Sequence, residues 1–300
     1  MITSWYVALV KRGVAFGASA YVLWGLFPLY WPLLKPAGAG EILAHRILWS
    51  LLAVAAVLAV QRRRIRGLTL RRLGLLALAA TVVSANWGTY IYAVNAGQTI
   101  EAALGYFINP LISVVFGVTF FRERLRTWQW CAVGLGTLAV VVLTVDYGRP
   151  PWIALILAFA FGLYGLLKKF VDMPSAEGLA VETAILFLPA LGFVLVLEGQ
   201  GDAAFGHHGP GQAVLTALAG VVTAVPMLLF NASAVRLPLT VIGMLQYLAP
   251  VLQFAIGLLI QHEEMPPSRW AGFLLVWLAL VILTWDGVKT ARRDAVPEPG

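Results

Sequence analysis

One cysteine in 300 residues, Cys131, has nothing to pair with. That excludes an internal disulfide and any metal site built from several thiolates. Charge is scarce as well. Asp, Glu, Lys and Arg make up 12% of the chain, about half the share of a typical soluble domain. No GxxxxGK[ST] run exists to cradle a nucleotide phosphate, which argues against ATP-driven work by this chain alone. His262-Glu263-Glu264 is not an HExxH zinc motif, and Cys131 has no neighbouring histidine. An intramembrane enzyme is therefore disfavoured, and neither a cofactor nor a metal is expected. His207 and His208 sit side by side without a third ligand at suitable spacing. They fit a solvated loop over Gly199–Gly211.

What fills the chain is apolar. Hydrophobic residues reach 60%, and a bilayer-spanning helix needs about 20 of them in succession. Ten stretches qualify: 14–34, 41–60, 73–97, 101–121, 127–146, 151–169, 178–198, 212–234, 238–260 and 267–287. The runs are long and lack period-two alternation, so helices are expected rather than a barrel. Ile2–Val10 is too short to span, and no cleavable signal is expected. The net charge of +7 comes from basic residues in short loops, which suits membrane-surface loops better than a nucleic-acid partner. With the N-terminus placed inside, seventeen Lys and Arg fall inside and only Lys35, Arg149 and Arg269 outside, with Arg46 left within a helix. Both termini are thus expected in the cytoplasm. The tail from Arg292 reads as disordered.

The chain also repeats itself. Shifting Ala102–Asp146 onto Ile242–Asp286 aligns Pro110 with Pro250, Gly117 with Gly257, Glu123 with Glu263, Trp130 with Trp270 and Asp146 with Asp286, without a gap. Five spans per half make the halves opposite in orientation, the arrangement that permits alternating access. The expected units are 1–149, 150–290 and a cytoplasmic tail 291–300. The expected class is an all-α integral membrane protein of ten transmembrane helices in two inverted five-helix repeats.

Polar groups inside a span need a reason, because an ionisable side chain at a helix centre costs about 2.5–3.5 kcal/mol on insertion scales. Glu41, His45 and Trp49 share one helix face, with Arg46 beside it. They fit a gate or proton-sensitive lining at the outer mouth, or an ion pair at the membrane surface. Asn86 and Tyr90 in the third span, and Tyr106, Asn109 and Ser113 in the fourth, form polar stripes. In the ninth span Gln246, Pro250, Gln253 and Gly257 form another. Such stripes line a shared cavity or hydrogen-bond across packed helices. Glu101 and Glu182 are placed at helix starts, where capping explains them and a coupling proton is the alternative. Prolines 28, 32, 110, 189, 226 and 250 mark hinges or static kinks. The substrate-binding candidates are His45, Asn86, Tyr90, Tyr106, Asn109, Gln246 and Gln253. The gate or coupling candidates are Glu41, Arg46, Glu101 and Glu182.

Five blocks carry a resemblance: Glu41–Arg46, Asn86–Asn95, Gly105–Leu111, Phe121–Leu125 and Leu245–Pro250. Through them the chain resembles the RarD family, in the EamA-type branch of the drug/metabolite transporter superfamily. The resemblance implies ten spans, cytoplasmic termini and a bacterial inner-membrane permease or exporter, with the fifth and tenth helices peripheral. The family name refers to chloramphenicol and does not define a natural substrate. The expected partners are the lipid bilayer and a small-molecule substrate, with no nucleic acid and oligomeric state left open. The function expected is secondary transport of a small metabolite or drug. The alternative is a non-transporting membrane sensor or assembly partner that retains the fold.

Overall fold

A computed structural model describes residues 2–122, 124–237 and 239–294, with side chains from Lys11 onward except at 121, 175, 239, 240 and 291–294. Glu123, which the repeat aligns with Glu263, lies outside the described residues, as do 295–300. Helices are the only regular elements among the described residues. They run α1 (Ile2–Gly25), α2 (Phe27–Tyr30), a 3₁₀ turn at Trp31–Leu34, α3 (Ala39–Val60), α4 (Leu70–Asn95), α5 (Thr99–Phe121) and α6 (Thr127–Tyr147). The second half continues with α7 (Trp152–Val171), α8 (Ser175–Gln200), α9 (Gly209–Ala234), α10 (Leu239–Leu245), α11 (Leu248–Leu259) and α12 (Pro267–Asp294). Ten spans are long and apolar enough to cross a membrane, the first being α1, α2 and the turn together and the ninth α10 with α11. Hydrocarbon offers backbone groups no water, so a chain this apolar satisfies them within helices.

The helices pack as two intertwined halves. α7 packs against α4 and α5, and its repeat mate α1 packs against α9 and α11. α3 lies on α9 while α8 lies on α4, and α3 meets α8, α5 meets α11 and α6 meets α12 across the pseudo-two-fold axis. Small residues set the closest approaches, as expected where apolar burial gives helices no preference over lipid. A Cβ on Gly105 would stand 2.7 Å from the Ala154 carbonyl oxygen, and one on Gly220 would collide with the Trp49 backbone.

α6 and α12 pack chiefly on each other, and Cys131 is exposed on α6. Two ion pairs pin this antiparallel pair at its ends. Arg269 Nε reaches Asp146 at 3.0 Å, and Arg126 Nη1 reaches Asp286 at 2.9 Å. The two aspartates are repeat mates, so one interaction occurs on both membrane faces.

Three local features depart from the sequence reading. α12 continues through Asp294, so residues 292–294 are helical rather than disordered. α8 begins at Ser175, which puts Glu182 in its third turn and not at a helix start. Prolines interrupt only the first and ninth spans: Pro110, Pro189 and Pro226 lie within unbroken helices.

Gly105→Leu is expected to lower the melting temperature of the detergent-solubilised protein, by an overpacking cost of about 1–3 kcal/mol. Gly165→Ala, at a position with nothing within 4 Å, is expected to leave it unchanged or slightly raised. Equal melting of the two variants would contradict the α5–α7 packing.

Candidate functional site

A proline has no N–H to offer the carbonyl four residues back and crowds it sterically. Pro28 therefore releases the carbonyl of Trp24, and Pro32 releases that of Pro28. Both find donors on the other repeat. Gln253 Nε2 donates to Trp24 O at 3.2 Å, and Gln261 Nε2 donates to Pro28 O at 3.2 Å. Further along the same span Gln212 Nε2 donates to Leu34 O at 3.3 Å, while Tyr30 OH donates to Leu215 O at 2.5 Å. The end of the first span remote from the termini is thus stitched to spans eight and nine. Pro250 acts likewise on the carbonyl of Gln246, and the ninth span breaks at Gln246–Tyr247.

Gln253 is therefore buried as a clasp on the first span, with its Oε1 lacking a partner. Gln246 sits half-buried in the ninth-span break. Around the clasp Trp31, Leu34, Ala37, Ile42, Ala204 and Ala219 form one packed apolar cluster, each under 5% exposed. It closes the face opposite the termini.

Arg46 lies beneath this plug on α3, 3% exposed. Its carbon Cζ stands 4.0 Å from the Trp87 ring centroid, 5.2 Å from Trp31 and 5.7 Å from Phe27. Its Nε donates to Thr223 Oγ1 at 3.0 Å. No other hydrogen bond and no carboxylate reaches it among the described residues. Tyr30, Tyr90 and Tyr106 lie within electrostatic range. A cation–π contact is worth about 0.5–2 kcal/mol, and burying an ion costs several kcal/mol even after relaxation. Three rings offset much of that cost but do not neutralise the charge.

Three predicted site residues join this cage. Tyr106 OH donates to Asn86 Oδ1 at 3.2 Å, Asn86 Nδ2 donates to Leu157 O at 3.0 Å, and the Tyr90 and Tyr106 rings meet at 5.6 Å. Tyr90 OH and Trp31 Nε1 are buried without partners. Asn109, one turn below Tyr106, has a buried, unpartnered Oδ1. Trp31, Trp87 and Thr223 were not singled out from the sequence. Indole rings are common in spans, and only their convergence on one guanidinium marks these two.

The remaining candidates go elsewhere. His45 faces away from the cage, stacked on Phe205 at 4.4 Å with both ring nitrogens unpartnered. Glu41 accepts the amides of Ala204 and Phe205 at 2.8 and 2.9 Å. The 201–208 loop, expected to be solvated, therefore folds its Ala203–Phe205 stretch onto α3. His207 stays exposed beside Glu198 at 2.9 Å. Glu101 binds Arg149 at 3.0 Å and accepts the Ile153 amide at 3.1 Å, tying the start of α5 to the start of α7. Glu182 accepts from Lys168 Nζ at 2.8 Å and from Tyr164 OH at 3.0 Å. Sequence reading passed over Glu263, which accepts the Thr99 and Ile100 amides at 2.6 and 3.0 Å and so caps α5 from a distant loop. Burial pushes its carboxyl above the usual range, and the Ile100 and Thr99 amides pull the other way.

The EamA-like transporter family model matches residues 11–145 and again 150–285. The chain belongs to this family, in its RarD branch. Protein RarD of Streptomyces exfoliatus is 58% identical over 95% of this chain and 91% of its own length. The uncharacterized transporter YojE of Bacillus subtilis (strain 168) is 44% identical over 96% of this chain and 98% of its own. A solved crystal structure at 17% identity superposes with a TM-score of 0.61, covering 95% of this chain and 99% of that one, and shares the fold. The protein is a multi-pass membrane transporter.

Replacing Gln253 by Leu leaves the Trp24 carbonyl buried without a donor, at a cost of about 1–3 kcal/mol. The variant is expected to melt lower and to exchange backbone hydrogens faster across residues 24–34. Unchanged exchange there would contradict the clasp.

Proposed function

We propose that the protein is a secondary transporter that carries a small organic solute across the bacterial inner membrane by alternating access. The solute binds in the cage around Arg46, Tyr90, Tyr106 and Thr223. One observation carries this reading. A buried polar site, built from both inverted repeats, lies directly under an apolar plug that hydrogen bonds between those repeats hold shut. Inverted-repeat carriers hold their substrate near mid-membrane where the repeats meet.

On the face of the termini, α3, α8 and α9 meet at a small apolar recess lined by Val54, Leu179, Ala224 and Met227. Thr223, which holds Arg46, and Ala224 share one turn of α9, and in the carrier reading solute enters from this side. Release on the other side requires the first span to part from Gln253, Gln261 and Gln212. The bonds involved are few and neutral, each worth about 0.5–1.5 kcal/mol net, which suits a gate that must open. His45 and Glu41 lie where the 201–208 loop folds onto α3 and serve as gate elements. We place the termini in the cytoplasm because basic loops cluster on their face, while Arg149 and Arg269 on the other face are ion-paired. The units 1–149 and 150–290 are the two repeats, and because their helices pack across one another, each moving body draws helices from both.

Two measurements test this. In a Cys131→Ser background, a membrane-impermeant maleimide added to whole cells is expected to label Gly206→Cys, and Arg64→Cys only after permeabilisation. The reverse pattern would invert the orientation. Untargeted metabolomics of medium from cells lacking or overproducing the protein, with chloramphenicol sensitivity scored in parallel, is expected to show a solute whose external level follows expression. No expression-dependent solute, and no flux in proteoliposomes across the same metabolite panel, would count against transport.

A further inference from the structure

We propose that the solute carries an anionic group, a carboxylate or a phosphate monoester, which docks on the unpaired face of the Arg46 guanidinium. The inference rests on the carrier reading above and names the substrate class of that same site.

Arg46 differs from every other buried charge here. The charged side chains under 5% exposed among the described residues are Glu41, Arg46, Glu101, Glu182 and Asp286. Glu41 has two backbone amides, Glu101 has Arg149 and an amide, Glu182 has Lys168 and Tyr164, and Asp286 has Arg126. Asp146 and Glu263, at the bundle's edge, are committed to Arg269 and to the Thr99 and Ile100 amides. Arg46 has five N–H groups and one hydrogen bond, to a neutral hydroxyl. A guanidinium does not deprotonate in a protein, so its charge cannot be removed by titration as a buried lysine's can.

The neighbours point the same way. Trp31 Nε1 can only donate, and it is buried without an acceptor. Tyr90 OH is buried and unpartnered too. The Asn86 amide oxygen accepts from Tyr106, while the unpartnered Asn109 Oδ1 lies a turn further along α5. A fixed positive charge beside unpartnered Trp31 and Tyr90 donors suits an acceptor-rich anion. It repels an ammonium group, and a purely neutral solute leaves it unbalanced. The rings of Trp87, Trp31 and Phe27 pack around the guanidinium and offer it no hydrogen-bond acceptor.

The test uses the purified full-length protein, with aromatic anions set against neutral aromatic counterparts. Benzoate, phenylacetate and phenyl phosphate are compared with benzamide, phenylacetamide and phenol by thermal shift and tryptophan quenching, which Trp31 and Trp87 should report. Saturable effects are expected for the anions and not for the neutral partners, and the carboxylate and phosphate arms tell which group is accepted. Arg46→Met is expected to weaken anion binding by about 30-fold or more. Tyr90→Phe and Trp31→Phe keep the charge and each remove one donor, and each is expected to weaken it by roughly tenfold. Should Arg46→Met fail to fold, those two variants decide the question.

Equal binding of acids and amides, no saturable anion effect in the wild type, or affinity unchanged in all three variants would overturn the proposal. Proteoliposome flux separates this from the wider reading. Carriage of neutral or cationic solutes untouched by Arg46→Lys sinks the anion site and leaves transport standing. Saturable anion binding without flux of any bound anion leaves the site standing and sinks transport.

Discussion

A carbonyl released inside hydrocarbon has no water to turn to, and the first span releases two of them. The donors come from Gln253 and Gln261 on the opposite repeat. That necessity couples a local irregularity to a global arrangement. The first span can bend toward the plug only while the ninth lies beside it. Because the bonds join the halves rather than the interior of either, any rearrangement that separates the repeats must break them together. The strongest local strain on backbone satisfaction therefore lies on the seam between the two repeats.

The same seam holds the cage. Its walls come from the first span, α3, α4, α5 and α9, so neither repeat encloses Arg46 alone. Aromatic faces solve the steric side of burying a guanidinium and part of the electrostatic side. Among the described residues every buried carboxylate is spent elsewhere, on backbone amides or on ion pairs that fasten helices to one another. Among the described residues, structural acids and the buried Arg46 form two groups with different work. The acids hold the scaffold, as the matched Asp146 and Asp286 pairs show at both membrane faces. Arg46 holds nothing of comparable strength in place.

Much of the scaffold was legible in the sequence. Repeat mates such as Asp146 and Asp286 keep their spacing because both pin the same helix pair. The stripe containing Gln253 was visible because an amide in an apolar run is conspicuous. Its partner was not, since the carbonyl it serves lies 229 residues away. Glu182 was misplaced because the helix start was drawn three residues late, at a stretch where Ser, Ala and Gly blur the boundary. Glu41, His45 and Trp49 were correctly put on one face, but nothing local could announce that a loop near residue 205 would cover it.

Periodicity and run length are properties of neighbouring residues, so helices, span count and the internal repeat follow from the chain order alone. Hydrocarbon enforces the helices, because a single apolar segment satisfies its backbone hydrogen bonds there only as a helix. Which polar side chain meets which is a property of packing across the two-fold seam. Only the folded molecule could decide that Glu263 caps α5, that Gln253 closes the first span, and that Arg46 ends among three rings with no carboxylate. Their partners are far away in sequence, and pairing at such distances is set by how whole helices stack.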